Sequence, residues 1–249
     1  METSQPVILA IDTATAAISV AITKGTSRQG MMLASIGLSS NITHSRRLLG
    51  SIERLMAEVD LDWKDIDAVG VSLGPGSFTG LRIGMATAKG IATAANLPLI
   101  GVSTLDSLAE KCVTRRLVCA VLDARKKEVY AAFYRADEGS IMCRIGEIEA
   151  LSPEGLADKI SEPVVMIGDG AVVYRDFFND KLGANLMLAP AALHEPSASS
   201  LGMIAGSLFL KKCFLNIDSA VPLYVRISDA ELNLKMKQQA LAASGKNKS

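Results

Sequence analysis

Val69-Gly70-Val71-Ser72-Leu73-Gly74-Pro75-Gly76-Ser77-Phe78-Thr79-Gly80-Leu81-Arg82-Ile83-Gly84 reads as a buried strand that turns through glycines into a helix. Gly74 and Gly76 permit a tight turn and Pro75 stiffens it, while Ser77 or Thr79 is placed to cap a helix whose first amides otherwise lack partners. Such a turn either cradles an anion or simply connects strand to helix. No Gly-Lys-Ser/Thr follows at P-loop spacing, and Thr79 stands where a dinucleotide fingerprint needs its third glycine. Thr79 also breaks the Gly-x-Ser-x-Gly pattern around Ser77, so the turn does not spell a nucleophile elbow.

Outward from this stretch, Val7 to Ile11 and Ile18 to Ile22 read as strands joined at Asp12-Thr13-Ala14-Thr15. A comparable hairpin recurs: Leu117 to Leu122 runs into Asp123, and Val129, Ala131 and Phe133 keep the offsets from Asp123 that Ile18, Val20 and Ile22 keep from Asp12. Each hairpin is followed by a strand and a glycine turn, Ala68 to Leu73 with Gly74-Pro75-Gly76, then Val164 to Ile167 with Gly168-Asp169-Gly170. This is a weak internal duplication, although such hairpins and turns are common in α/β chains. The junction falls near Ser107 to Arg116, after a helix opened by Ser103-Thr104-Leu105-Asp106 as a capping box.

The chain has 249 residues, 49% of them hydrophobic, enough for a sizeable core. Its 26 Lys and Arg balance 26 Asp and Glu, leaving no electrostatic footprint for nucleic acid or an anionic membrane. Met1-Glu2-Thr3-Ser4-Gln5-Pro6 lacks a basic leader and Asp12 interrupts the early apolar run, so a cytoplasmic protein without a membrane span is expected. Cys112, Cys119, Cys143 and Cys213 have no Cys-x-x-Cys spacing and read as small core residues in a reducing compartment. The two histidines, His44 and His194, have no ligand-spaced partners, so a His-x-x-x-His metal site is excluded. Asp12 and Asp123 read either as carboxylates facing across a cleft or as turn formers that bond nearby amides.

Two helices follow from periodicity. Thr43 to Val59 sets Leu48, Leu49, Ile52, Leu55, Met56 and Val59 on one face, with Arg46, Arg47, Glu53 and Arg54 opposite. In Thr79 to Ala95, Gly80, Gly84, Ala88 and Ala92 recur every four residues, flanked by Leu81, Met85 and Ile91, an apolar belt of roughly 200°. So wide a belt suits a helix sandwiched within its own domain, or one that packs at home with one edge and on another subunit with the other. The tail from Lys235 onward is polar with scattered lysines and reads as solvated.

Continued through Ala86-Thr87-Ala88-Lys89-Gly90-Ile91-Ala92, the glycine-turn string resembles the actin-like family that installs threonylcarbamoyl on tRNA adenosine, in its bacterial TsaB (YeaZ) branch. The resemblance is carried also by Ile8-Leu9-Ala10-Ile11-Asp12-Thr13, His44-Ser45, Pro98-Leu99-Ile100-Gly101-Val102-Ser103-Thr104-Leu105-Asp106, Asp123-Ala124-Arg125 with Glu128-Val129-Tyr130, and Pro222-Leu223-Tyr224-Val225-Arg226. It is thin from about Arg135 to Glu195, and Arg46 and Gly50 replace the family's Glu and Pro after His-Ser. It implies an α/β, two-domain actin-like (ASKHA, ribonuclease-H-like) fold with duplicated mixed-sheet halves. The halves would be 1–107 and 108–230, with a helix near 198–213 returning toward the first half and a polar tail over 231–249.

The family's catalytic, TsaD-type member holds metal with two histidines where this chain has Thr104 and Leu108, and with an aspartate where it has Ser199. A second-half Gly-Gly-His-Thr loop is replaced by Leu122-Asp123-Ala124-Arg125. The resemblance therefore implies no catalytic residue, metal or cofactor, and a non-catalytic subunit that binds and stabilises the TsaD-type paralogue in forming N6-threonylcarbamoyladenosine. A TsaE-type ATPase would join the assembly, tRNA would be held indirectly, and the chain would self-associate as a homodimer through the same surface. That surface is expected at His44, Leu48, Leu49, Ile52, Leu55, Gly80, Arg82, Gly84, Met85, Ala88 and Lys89. A vestigial nucleotide site would comprise Asp12, Thr13, Gly74, Gly76, Ser77, Asp123, Gly168 and Gly170. The alternatives are an ATP-dependent enzyme of the actin-like, sugar-kinase type, which intact phosphate loops would support, and a metallopeptidase, which the missing histidines oppose.

Overall fold

Apolar residues on both faces make strand β1 (Val7–Asp12) a central strand, and it is buried from Ile8 onward. In the computed structural model, which describes residues 5–39 and 44–225, β1 lies third in a five-stranded sheet ordered β3-β2-β1-β4-β5. Its neighbours are β2 (Ala17–Gly25), β3 (Gly30–Ser39), β4 (Ala68–Gly74) and β5 (Leu99–Ser103). Strands β1 to β3 form an antiparallel meander, and β4 and β5 add in parallel. Helices α1 (His44–Glu58) and α2 (Phe78–Ala94) make the crossovers. Thr43, Arg226 and the tail over 231–249 lie outside the described residues.

The second half repeats this plan. Strands β6 (Leu117–Arg125), β7 (Glu128–Ala136) and β8 (Met142–Leu151) form the meander, and β9 (Val164–Ile167) and β10 (Leu186–Leu188) add in parallel. The order β8-β7-β6-β9-β10 matches the first sheet strand for strand. The weak duplication in the sequence is thus a real one, and the architecture is the expected actin-like arrangement.

The two-residue period of the strands sorts the core into layers. Leu9 and Ile11 face Leu48, Ile52, Leu55, Met85 and Ala88 of α1 and α2, whereas Ile8 and Ala10 face Leu201 and Ala205 of α7 (Ala198–Leu210). Helix α7 comes after the second sheet in sequence yet packs on the first, and Gly70 on β4 leaves room for it: a Cβ there would sit 3.0 Å from Leu201 Cδ2. In the second sheet, Val118, Ala120 and Leu122 face α3 (Thr104–Ala109). Cys119 and Val121 face the side covered by α4 (Pro153–Ala157) and α6 (Arg175–Leu182), with the short α5 (Asp169–Val173) after β9.

Two local expectations change. Ser103 caps α3 by accepting from Leu105 N, but Asp106 does not close a capping box; its Oδ1 instead accepts from Tyr134 Oη at 2.8 Å and Arg144 Nη1 at 3.3 Å, tying α3 to the second sheet. Cys112 and Cys119 are buried as expected, whereas Cys143 and Cys213 are exposed and all four are free thiols, because β8 is an edge strand and Cys213 follows the end of α7. Past α7, Leu215 bridges to Leu99 on β5, and Leu223 N bonds to Leu73 O, so the last described residues run back along the first half. No helix among the described residues is long and apolar enough to cross a membrane.

Candidate functional site

A cavity of about 560 Å³ lies between the halves, lined by Ala14, Thr15, Gly76 and Ser77 from the first, Asp123, Arg125, Tyr130 and Asp169 from the second, and Leu223 to Val225 of the returning chain. The sequence placed a possible anion cradle here, at the start of α2. The structure fills it in part from within. Ala14 O accepts from Ser77 N at 2.6 Å, Ser77 Oγ accepts from Gly80 N at 3.2 Å, and Thr13 Oγ1 donates to Gly80 O at 2.7 Å. Helix α2 is therefore capped by its own Ser77, and the β1–β2 turn takes up one further amide, Ser77 N, that an anion could have used. The glycines follow from the same approach: a Cβ at Gly76 would lie 2.3 Å from Ala14 O, one at Gly80 2.1 Å from Thr13 O, and one at Gly84 2.3 Å from Thr13 Oγ1.

The second half is built alike at its turn. Gly168, at φ +114°, and Gly170 press against Val121 O and Leu122 C, at 2.0 and 2.8 Å from their would-be Cβ atoms. Asp169 Oδ1 accepts from Asp123 N at 3.0 Å. His194 is buried and bonds Gly168 N through Nδ1 and Ala189 O through Nε2, fixing the loop before α7 to this turn.

Asp12, at the end of β1, is 2% exposed. Its Oδ1 accepts from Ala14 N at 2.9 Å, while Oδ2 has no partner among the described residues. Burial, with a smaller rise from the Glu195 carboxylate, pushes its carboxyl up to about 6 against the lowering effect of the Ala14 amide, Ser72 and Lys111. Lys111 donates to Leu193 O at 3.1 Å and Glu195 O at 2.7 Å, and burial lowers its ammonium. Asp169 is raised by burial, with Glu195 and Asp123 adding to the rise. Among the described residues no group of three or more His, Cys, Asp and Glu is arranged to hold a metal ion. Thr104 and Leu108 are fully buried in α3, and Ser199 Oγ shares a 2.6 Å bond with Ser197 Oγ.

The expected two-helix surface is redistributed. Leu48, Ile52, Leu55, Gly80, Gly84, Met85 and Ala88 lie in the chain's own core, because the small-residue stripe of α2 seats the Thr13 turn and β4. An arginine at Gly84 would therefore test the core. Of the expected residues, Leu49 and Arg82 are exposed and Lys89 is half-buried. Lys89 Nζ donates to Asp218 O and Ala220 O. Arg82 stacks 3.8 Å above the Phe78 ring and donates to Tyr224 Oη at 3.1 Å. His44 opens α1, and its side chain is outside the described residues. Among the residues the helices turn outward are Leu49, Gly50, Glu53 and Ala57 of α1 and Arg82, Ala86 and Gly90 of α2. Periodicity alone had no signal for this split, since it shows which residues share a face and not what covers them.

The family described as TsaD, tRNA N6-adenosine threonylcarbamoyltransferase, matches residues 38–234. An Escherichia coli (strain K12) protein named tRNA threonylcarbamoyladenosine biosynthesis protein TsaB is 33% identical over 237 residues, covering 93% of this chain and 99% of its own. The Bacillus subtilis (strain 168) protein of the same name is 28% identical over 229 residues, covering 90% and 96%. A solved structure described as YeaZ from Pseudomonas aeruginosa superposes with a TM-score of 0.70 at 28% identity, covering 88% of this chain and 99% of that one.

Proposed function

The chain belongs to the TsaB (YeaZ) group of the TsaD family, and from that premise we propose that it is a non-catalytic cytoplasmic subunit of tRNA threonylcarbamoyladenosine biosynthesis that binds and stabilises a TsaD-type catalytic paralogue. The observation that carries this reading is the partly self-filled cradle: Ala14 O sits on Ser77 N, and the Thr13 backbone lies against Gly80. A polyphosphate at the start of α2 would find the Ser77 and Gly80 amides already bonded, which leaves it fewer donors than an open helix end offers. With Thr104, Leu108 and Ser199 at the family's metal positions, the chain lacks the side chains with which the catalytic paralogue would hold its metal. Its contribution is a surface. We assign that surface to the outward strip of α1 and α2, with Leu49 and Ala86 as its apolar centre and Glu53 and Arg82 as its charged margin. A TsaE-type ATPase and tRNA would then engage the assembled pair.

Reconstitution tests both parts. Radiolabelled threonine should enter tRNA only when the paralogue and this chain are combined, and the chain alone should bind ATP no tighter than millimolar. Leu49→Glu and Ala86→Arg, both at exposed positions, should each weaken paralogue binding at least about tenfold, the effect of stranding a charge in an apolar contact, without changing the chain's own melting. Modified tRNA formed by the chain alone would overturn the non-catalytic role, and unchanged affinity in both variants would overturn the surface.

A further inference from the structure

The even charge balance of the whole chain conceals a local asymmetry at the mouth of the cavity between the halves. The β6–β7 turn runs Arg125-Lys126-Lys127, all three exposed, and Arg125 and Lys126 line the cavity. On the first-half side Arg82 is exposed and stacked on Phe78, which belongs to the cavity wall. The acids beside the turn, Asp123, Glu128 and Asp169, are half-buried, and Asp123 lies 3.3 Å from the Arg125 guanidinium. Arg125, Lys126 and Lys127 follow one another at φ +62°, +53° and +62°, a region that glycine enters without cost and these side chains do not. The equivalent first-half turn, Thr13 to Ala16, has neither a charge nor a positive φ. Aromatic rings gather at the same mouth. Three of the chain's four tyrosines are there: Tyr130 and Tyr224 line the cavity, and Tyr174 is near enough to Asp123 and Arg125 for both charges to act on its hydroxyl. Phe78 and Tyr224 are 37% and 40% exposed, with ring centroids 5.2 Å apart.

We infer that this mouth is a direct contact for single-stranded RNA, with an unstacked base against Phe78 and Tyr224 and the neighbouring phosphates on Lys126 and Lys127. Half-exposed rings stack on any base, and exposed cations beside them follow the backbone of the strand. A duplex keeps its base faces stacked on one another, so the rings favour an unpaired segment. A free mononucleotide fits less well, because the Ser77 and Gly80 amides within the cleft are already bonded and the cations stand outside it on the turn, where a strand continues past the mouth. An acidic peptide would use the cations and leave the rings without a role. Arg82 belongs both to this mouth and to the margin of the outward strip of α1 and α2, so the two surfaces adjoin. This contact deepens the function proposed above and rests on it for the identity of the RNA, the tRNA on which the assembled pair acts.

Cross-linking and fluorescence polarisation with the full chain test the contact. An RNA stem-loop carrying 4-thiouridine in its loop should cross-link, with the chain alone, to peptides holding Phe78, Tyr130 or Tyr224, and a fully paired duplex should not. With the paralogue present, Lys126→Gln and Lys127→Gln together should weaken stem-loop binding about tenfold and reduce the slope of log affinity against log salt by about 1.4, the value for two single-strand phosphate contacts. Phe78→Ala should weaken binding about tenfold with the slope unchanged. The lysine double variant, altered only at an exposed turn, should bind the paralogue as the wild-type chain does. Equal affinity for stem-loop and duplex, cross-links confined to other peptides, or full affinity in the lysine variant would overturn the contact. Displacement of the RNA by an equimolar acidic peptide would overturn it in favour of a protein partner. Failure of the wild-type chain to bind the paralogue would overturn the function proposed above instead, and the cross-link to the isolated chain would still decide the RNA contact.

Discussion

The first half joins its two parallel outer strands with the 17-residue helix α2, and the second half joins the equivalent strands with α5 and α6, of 5 and 8 residues. Both turns need glycine for the same reason, since a neighbouring strand end presses a carbonyl against each: Ala14 O at Gly76 and Val121 O at Gly168. The aspartates ahead of the two hairpins have gone separate ways. Asp12 is buried with an unpartnered oxygen, whereas Asp123 is half-buried, accepts from Arg125 N at 2.9 Å and lies 3.3 Å from the Arg125 guanidinium. Duplication has preserved the backbone approach in both halves and left the charge at its tip free to diverge. The glycines report on packing, and the aspartates on solvent.

If glycine is required by backbone approach in both halves, Gly80→Ala and Gly168→Ala should be the most damaging changes, each costing about 3 kcal/mol or more because the obstructing atom is a carbonyl and not a movable side chain. Thermal unfolding of the two variants checks this, and a mild effect at either site would break the parallel.

The next largest effect separates the aspartates. Asp12 titrates near 6 in the folded chain against an ordinary 3.8, so the folded state holds the extra proton between those values. The stability this gives is fully present below about 3.8 and is lost as pH rises through about 6, a fall of about 3 kcal/mol. Asp12→Asn should flatten that slope in denaturant titrations from pH 4 to 8 and stabilise the chain above pH 6. A slope unchanged by the substitution would show that Asp12 gains its missing partner in solution.

The smallest effect concerns the hairpin tips. Arg125, Lys126 and Lys127 all sit at positive φ, whereas the first-half turn has no such residue. Lys127→Gly should therefore stabilise by about 1 kcal/mol, since a two-residue turn of this hand favours glycine. A loss instead would mean that the lysine side chain contributes more than its backbone costs.

Much of this architecture was legible in the sequence. Strict alternation in Ile18, Val20 and Ile22, and the matching offsets from Asp12 and Asp123, announced both hairpins and the duplication. Strand β3 gave a weaker signal: Ala34, Ile36 and Leu38 alternate with Ser35, Gly37 and Ser39, but the apolar run Met31-Met32-Leu33 breaks the period where the register slips. The small-residue stripe of α2 was legible as a close contact, but its occupant was not, because the Thr13 turn arrives from 67 residues away in sequence. The orphaned oxygen of Asp12 was equally invisible, since it depends on Ser72, Lys111 and Glu195 converging from three separate elements.

Helix α7 closes one face of a sheet whose first strand is synthesised nearly 200 residues earlier. While the chain is emerging from the ribosome, Ile8, Ala10, Ile100 and Val102 have nothing to cover them until Leu201 and Ala205 arrive. The first half is thus the earlier to be translated and the later to be finished, and through that interval its bare face is a natural substrate for chaperones that hold apolar nascent chain.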